Sequence, residues 1–167
     1  MQYYDIVKSS SNFTFEFEQR LGFKHIYKIE DAAIKNNIVG NSKNINELIN
    51  FIRHGSRAVI IDDFTIDRKL IAEMKDKECM LLLPVSSIVS KSGFALTRII
   101  YKARMLTLYA NNKDIDIALC SYANSINFMN SAAQLKTIGA IIGMTDNLIK
   151  KSICENNKTL GEIIGKN

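Results

Sequence analysis

The feature that most constrains this chain is the regular exchange of short, unbroken apolar runs for amphipathic stretches. Ala58-Val59-Ile60-Ile61 and Met80-Leu81-Leu82-Leu83 are continuously apolar rather than alternating. That pattern suits strands covered on both faces, as in a parallel sheet flanked by helices. Residues 3–7, 24–29, 57–61, 79–83 and 115–120 read as strands, and 37–40 as a further short one. Between them the spacing predicts helices over 13–21, 45–53, 65–75, 94–111, 131–142, 145–155 and 159–164. Asn44 stands as an N-cap with Gly55 just past the end of its helix, Thr65 opens the next, and Thr145 caps another with Asp146 in the first turn.

Alternation of this kind implies right-handed βαβ crossovers and a mostly parallel sheet. Six or so strands fit either a doubly wound sheet or an abbreviated (β/α) barrel, and periodicity does not separate the two. In either, function sits in the loops after the carboxyl ends of the strands. With 167 residues, one proline and eight glycines, no segment has the composition of a flexible linker, so a single domain over 1–167 is expected.

No apolar run approaches the roughly 18 residues that span a bilayer. The start, Met1-Gln2-Tyr3-Tyr4-Asp5, lacks the basic and apolar parts of a signal peptide. A cytoplasmic location without membrane contact is therefore expected. Cys79, Cys120 and Cys154 are far apart, and an odd count without a C-x-x-C pair argues against a disulfide framework or structural zinc. Cys79 and Cys120 read as small buried hydrophobes.

The net charge of +5 is informative through its placement. Residues 1–84 carry twelve basic and twelve acidic side chains, whereas 85–167 carry ten basic and five acidic. No acid lies between Glu78 and Asp114, while Lys91, Arg98, Lys102, Arg104 and Lys113 all do. A stretch that excludes carboxylates but keeps cations favours a polyanionic partner. Arg98 and Lys102, four apart on the 94–111 helix, share a face, and Leu96, Ile99, Ile100, Ala103, Leu106 and Tyr109 form its core side. The uncharged run 121–130 reads either as a well-capped loop or as one that offers Ser121, Tyr122, Asn124, Asn127 and Asn130 as hydrogen-bonding groups for RNA or a partner backbone.

Protein-based catalysis has little material here. His25 falls within a strand and His54 in the last turn of a helix, where attraction to the helix C-terminus explains it. Asp62 and Asp63 follow a strand but point to opposite faces, and Asp63-Phe64-Thr65 reads as turn chemistry. There is no G-x-G-x-x-G, P-loop, G-x-S-x-G or H-E-x-x-H. No catalytic residue and no metal ligand set is expected.

From residue 68 to 153 the elements run in a recognisable order. The strand 80–83 is followed by Ser-rich 86–92, then by the helix with Arg98, Lys102 and Arg104. The strand 115–120 comes next, followed by Ser121-Tyr122-Ala123-Asn124 and by Leu135-Lys136-Thr137-Ile138-Gly139-Ala140-Ile141-Ile142-Gly143-Met144. With Tyr4-Asp5-Ile6-Val7 and Leu21-Gly22-Phe23, this resembles the TIM-barrel protein subunit of archaeal and eukaryotic ribonuclease P.

The chain departs from that family in being shorter. It reads Met129-Asn130-Ser131-Ala132-Ala133 where the family often carries an Arg-Ser-Pro-like run. It also has Val7-Lys8-Ser9 where the related metal-dependent phosphoesterases carry His-x-His.

The resemblance implies an abbreviated, PHP-related (β/α) barrel with mostly parallel strands and outer helices. It implies a non-catalytic subunit of ribonuclease P, in which the RNA, with Mg²⁺, cleaves the 5′ leader of precursor tRNA and the protein binds no cofactor. The implied partners are the ribonuclease P RNA, a small RRM-like protein subunit and, indirectly, precursor tRNA. Lys91, Arg98, Lys102, Arg104 and Lys113 would then contact phosphates. A divergent metal-dependent phosphoesterase-like barrel and a protein-interaction scaffold without RNA are the competing expectations.

Overall fold

The computed structural model describes residues 1–8, 13–29 and 36–165, so Ser9 of the Val7-Lys8-Ser9 stretch lies outside the described residues. Among the described residues six strands are present: β1 (Tyr4–Val7), β2 (His25–Lys28), β3 (Val39–Asn41), β4 (Ala58–Ile60), β5 (Met80–Pro84) and β6 (Ile117–Cys120). All pairings are parallel. β1 pairs β2, and β3-β4-β5-β6 form a second ladder in sequence order. The helices are α1 (Phe15–Arg20), α2 (Ile45–Arg53), α3 (Arg68–Asp76), α4 (Val85–Val89), α5 (Gly93–Asn111), α6 (Ala132–Ile141), α7 (Asp146–Lys150) and α8 (Asn157–Ile164).

The two ladders join where β1 meets β6. At the carboxyl ends the contact is direct: the Tyr122 N–H donates to the Ile6 carbonyl at 2.9 Å and Lys8 N–H to the Ala123 carbonyl at 3.1 Å. Toward the amino ends, side chains replace the missing ladder. Ser152 Oγ accepts from Leu119 N–H at 2.7 Å, and Asn156 Nδ2 donates to the Ile117 carbonyl at 2.8 Å. Asn157 Nδ2 donates to both Tyr4 and Leu119 carbonyls, at 2.9 and 2.7 Å. Each buried backbone group so paired avoids a desolvation penalty of about 1–3 kcal/mol. The resulting strand order is β2-β1-β6-β5-β4-β3, and among the described residues β2 and β3 do not pair.

Alternation along the strands sorts the core into two layers. Val59, Ile61, Leu81, Leu83, Ile117 and Leu119 face a layer built from the crossover helices. Those helices contribute Leu48 and Ile52 of α2, Leu70 and Met74 of α3, Ala103 and Leu106 of α5, and Leu135 of α6. Ile6, Ala58, Ile60, Leu82, Ala118 and Cys120 face the other way, onto Leu160 and Ile164 of α8. The segment after Thr145 thus changes sides: Ile149 and Ile153 pack in the first layer, Leu160 and Ile164 in the second. The switch occurs through a π-helical turn, Lys151–Asn156, which carries Ser152 and Asn156. Wider turns of this kind recur where a helix must meet a local demand.

Several boundaries depart from the sequence reading. Helix α3 starts at Arg68, capped by Asp67, whose carboxylate accepts from Leu70 N–H at 2.8 Å. Thr65 does not cap it, because Asp63 accepts both the Thr65 N–H and its hydroxyl. The Ser-rich stretch begins as a helical turn, α4, that buries Val85 and Ile88. Residues 146–164 run on through the π turn rather than forming two helices with a break. Ser131 caps α6 in a full capping box with Gln134. The caps Asn44 and Thr145 stand as expected, and Gly55 takes φ of 96°.

Candidate functional site

The carboxyl ends of the strands open onto a polar hollow of about 330 Å³. Its wall draws on five strands: Lys8 follows β1, Asn41 ends β3, and Asp62 follows β4. Ser86, Ser87 and Ser90 come from the turn after β5, Tyr122 and Asn124 from the loop after β6. Loops at this end of a parallel sheet converge because every strand points the same way, while the crossovers return on the far side.

The hollow is held from below. Tyr122 is buried with φ of 47°, a left-handed conformation that is strained for a bulky residue. Its N–H is fixed on Ile6, its carbonyl accepts from Ser86 Oγ at 3.1 Å, and its hydroxyl accepts from Asn41 Nδ2 at 3.5 Å. Burial, followed by the Cys120 and Asp62 charges, pushes the phenol well above its ordinary range, so it stays a neutral hydroxyl. Beneath it, Asp5 is buried and accepts from Ile6 and Ser121 N–H groups at 2.8 and 2.7 Å. Asp62 is exposed and accepts from Ser87 Oγ at 3.4 Å.

A second, larger hollow of about 570 Å³ adjoins the first and shares Ser86, Ser87, Ser90 and Asn124 with it. Val89 and Phe128 line it, and Phe128, on a 3-10 turn over Ile126–Phe128, is 70% exposed.

The cations singled out in sequence are spread over the length of α5 rather than gathered. Lys91 lies at the mouth, in the wall of the polar hollow. Lys113 lies beyond the other end of α5, roughly 28 Å away along a helix of this length. Arg98 is exposed, and Lys102 reaches the Asp63 carbonyl at 3.4 Å while its charge helps hold the Asp63 carboxyl below its ordinary range. That lowering opposes burial and follows chiefly from the bonds to Thr65. Arg104 lays its stem across Gly143, whose φ of 82° would strain any side chain and where a Cβ would crowd Arg104 Cγ. Phe94 and Tyr101 stand 85% and 64% exposed beside Arg98, with Met105 and Leu108 continuing the stripe.

In the loop after β6, Ser121 and Asn130 turn inward and bond each other, the Asn130 N–H donating to Ser121 Oγ at 3.1 Å. Asn124 and Asn127 are its exposed amides. His54 Nδ1 sits 2.7 Å from the Asn50 carbonyl at the end of α2, and His25 Nδ1 is 2.9 Å from the Glu18 carboxylate. Among the described residues no three His, Cys, Asp or Glu side chains gather as a metal ligand set. No helix among them is long and apolar enough to cross a membrane.

Sequence reasoning singled out Tyr122, Asn124 and Lys91 but not Lys8, Asn41 or the serines as parts of one wall. The only signal was their shared position after a strand. No protein-family model matches the chain, and no curated protein matches it.

Proposed function

We propose that this chain is a non-catalytic, RNA-binding protein subunit of a ribonuclease P-type particle, folded as an abbreviated (β/α) barrel opened between β2 and β3. The observation that carries the reading is the outer surface of α5 and the turn before it. Lys91, Arg98 and Arg104 are exposed there and make no ion pair among the described residues. Elsewhere Arg53, Lys75, Lys77, Lys151 and Lys158 each find a carboxylate, while Arg68, Lys69 and Lys150 form no ion pair among the described residues. The α5 cations are thus set apart by their clustering in a stretch without acids rather than by lack of pairing alone. Unneutralised cations flanked by exposed Phe94 and Tyr101 suit a phosphate backbone with unpaired bases to stack.

The strand order supports the barrel. Sequential strands with the last beside the first, and crossover helices in one layer, are what a barrel becomes when one pairing is lost. In this reading the particle's RNA, with Mg²⁺, cleaves precursor tRNA in the cytoplasm. The protein supplies cations that offset phosphate repulsion, and a small RRM-like subunit joins it. The protein itself holds no cofactor.

The test is precursor-tRNA cleavage by the cognate RNA and the small subunit, at low Mg²⁺, with and without this chain. Stimulation that disappears in Arg98→Ala/Lys102→Ala is expected. RNA affinity in that variant should fall and its salt dependence flatten by roughly 1.4–1.8 in log–log slope for two lost phosphate contacts. Unchanged cleavage, affinity and slope in a folded variant would overturn the assignment.

A further inference from the structure

We propose that the mouth of the sheet is a binding site for a nucleoside monophosphate unit, either a free nucleotide or the phosphorylated end of an RNA strand. The polar hollow of about 330 Å³ combines two ammonium groups, Lys8 and Lys91, and the exposed amide of Asn124 with the hydroxyls of Ser87 and Ser90, whose long 3.4 Å bonds to Asp62 and to the Ser87 carbonyl would be exchanged for bonds to the ligand. Phosphate oxygens accept from all of these groups. The adjoining hollow of about 570 Å³ shares the serines and Asn124, and its far wall is the exposed ring of Phe128 with Val89. A well of donors opening directly onto an aromatic platform matches a phosphate joined to a base.

Three further observations fit this ligand. Among the described residues Asp62 is the one carboxylate in the polar wall, and an acceptor beside a donor well suits ribose hydroxyls. Tyr122 is locked under the well in a strained left-handed conformation, and backbone strain of this kind clusters at ligand sites. Lys8 is held by its own backbone bond to Ala123, on the segment that carries Asn124. The wall is thus built from several strand ends and does not depend on one loop's conformation.

The site is separate from the Arg98/Lys102 face and shares only Lys91 with the surface proposed above, so it does not rest on the ribonuclease P reading. The folded chain is titrated with AMP, adenosine and inorganic phosphate, followed by amide chemical shifts. AMP is expected to bind at least tenfold tighter than either fragment, with shifts centred on Ser86–Lys91 and Ala123–Phe128. Lys8→Ala should weaken AMP and phosphate about tenfold and leave adenosine unchanged. Phe128→Ala should weaken AMP and adenosine but not phosphate. Arg98→Ala/Lys102→Ala should leave AMP affinity as it was, which separates this site from the α5 surface.

A short single-stranded RNA with and without a terminal phosphate identifies the source. Tighter binding of the phosphorylated form, in competition with AMP, assigns RNA ends, and equal binding assigns the free nucleotide. Absence of AMP binding, or AMP binding indifferent to both Lys8→Ala and Phe128→Ala in folded variants, would overturn the proposal.

Discussion

The Asp5 carboxylate accepts the backbone N–H of Ser121 at 2.7 Å, tying β1 to the loop after β6 across 116 positions of sequence. The contact lies in the interior, where Asp5 also accepts from Ile6 N–H and its second oxygen has no partner. Burial outweighs those hydrogen bonds and raises the carboxyl from 3.8 to about 7.

A carboxyl raised by folding favours the protonated state in the native protein. Asp5 therefore contributes its full stability below pH 3.8, and that contribution is lost as pH rises toward about 7. The loss is on the order of a few kcal/mol. Denaturant midpoints should fall between pH 4.5 and pH 8 in the parent chain. Asp5→Asn should show a much flatter profile over that window. Parallel profiles for the two chains would rule out Asp5 as the source.

Asn157 bridges two strands with one amide, donating to Tyr4 and Leu119 carbonyls. Asn157→Ala leaves both acceptors buried and unpaired and should cost about 2–4 kcal/mol. Asn157→Asp at pH 8 should cost more, since a carboxylate faces two carbonyl oxygens with no proton to share. Urea unfolding of both variants checks the order.

Gly161 of α8 lies directly against β2: a Cβ there would overlap the Tyr27 ring. Gly161→Ala should destabilise by about 1–3 kcal/mol through overpacking. Tyr27→Ala should relieve most of it, giving a coupling in the double-mutant cycle that two independent sites would not show.

Phe94→Ala and Tyr101→Ala should each weaken single-stranded RNA binding by about 1–3 kcal/mol if a base stacks on the ring. Neither should change the salt slope, because no phosphate contact is lost. A slope change with these variants would point to an altered helix rather than lost stacking.

The thiols should differ in reactivity. Burial pushes Cys79 up to about 12 and Cys120 well above the ordinary thiol range, while Cys154 is only half-buried and raised less by the same cause. A thiol reagent added to the native chain should label Cys154 first, and the other two only as the protein unfolds.

Much of the chain's organisation was legible because it is local. The apolar runs around Val59 and Leu82 announce covered strands, and Asn44, Gly55 and Thr145 mark helix ends through bonds to near neighbours. Thr65 misled because Asp63 competes for it within three residues, a contest that composition does not decide. Ser152, Asn156 and Asn157 read as ordinary helix polar positions, yet their partners lie on β6 and β1. The mouth was partly visible for the same reason. Tyr122 and Asn124 stand out within one loop, whereas Lys8 joins them only when β1 is set beside β6.

Placing α8 across the inner face ties the last described helix to the first strand, and this has a temporal consequence. While a ribosome is still adding residues beyond 120, β1 to β6 can begin to pair, but Ile6, Ile60 and Leu82 lack the cover of Leu160 and Ile164 until those residues emerge. The nascent chain therefore carries a sheet with one less-covered apolar side until those residues are made. Cooperative closure then waits on contacts such as Asn157 with Tyr4, 153 positions apart, the kind that slow folding and invite transient association with chaperones.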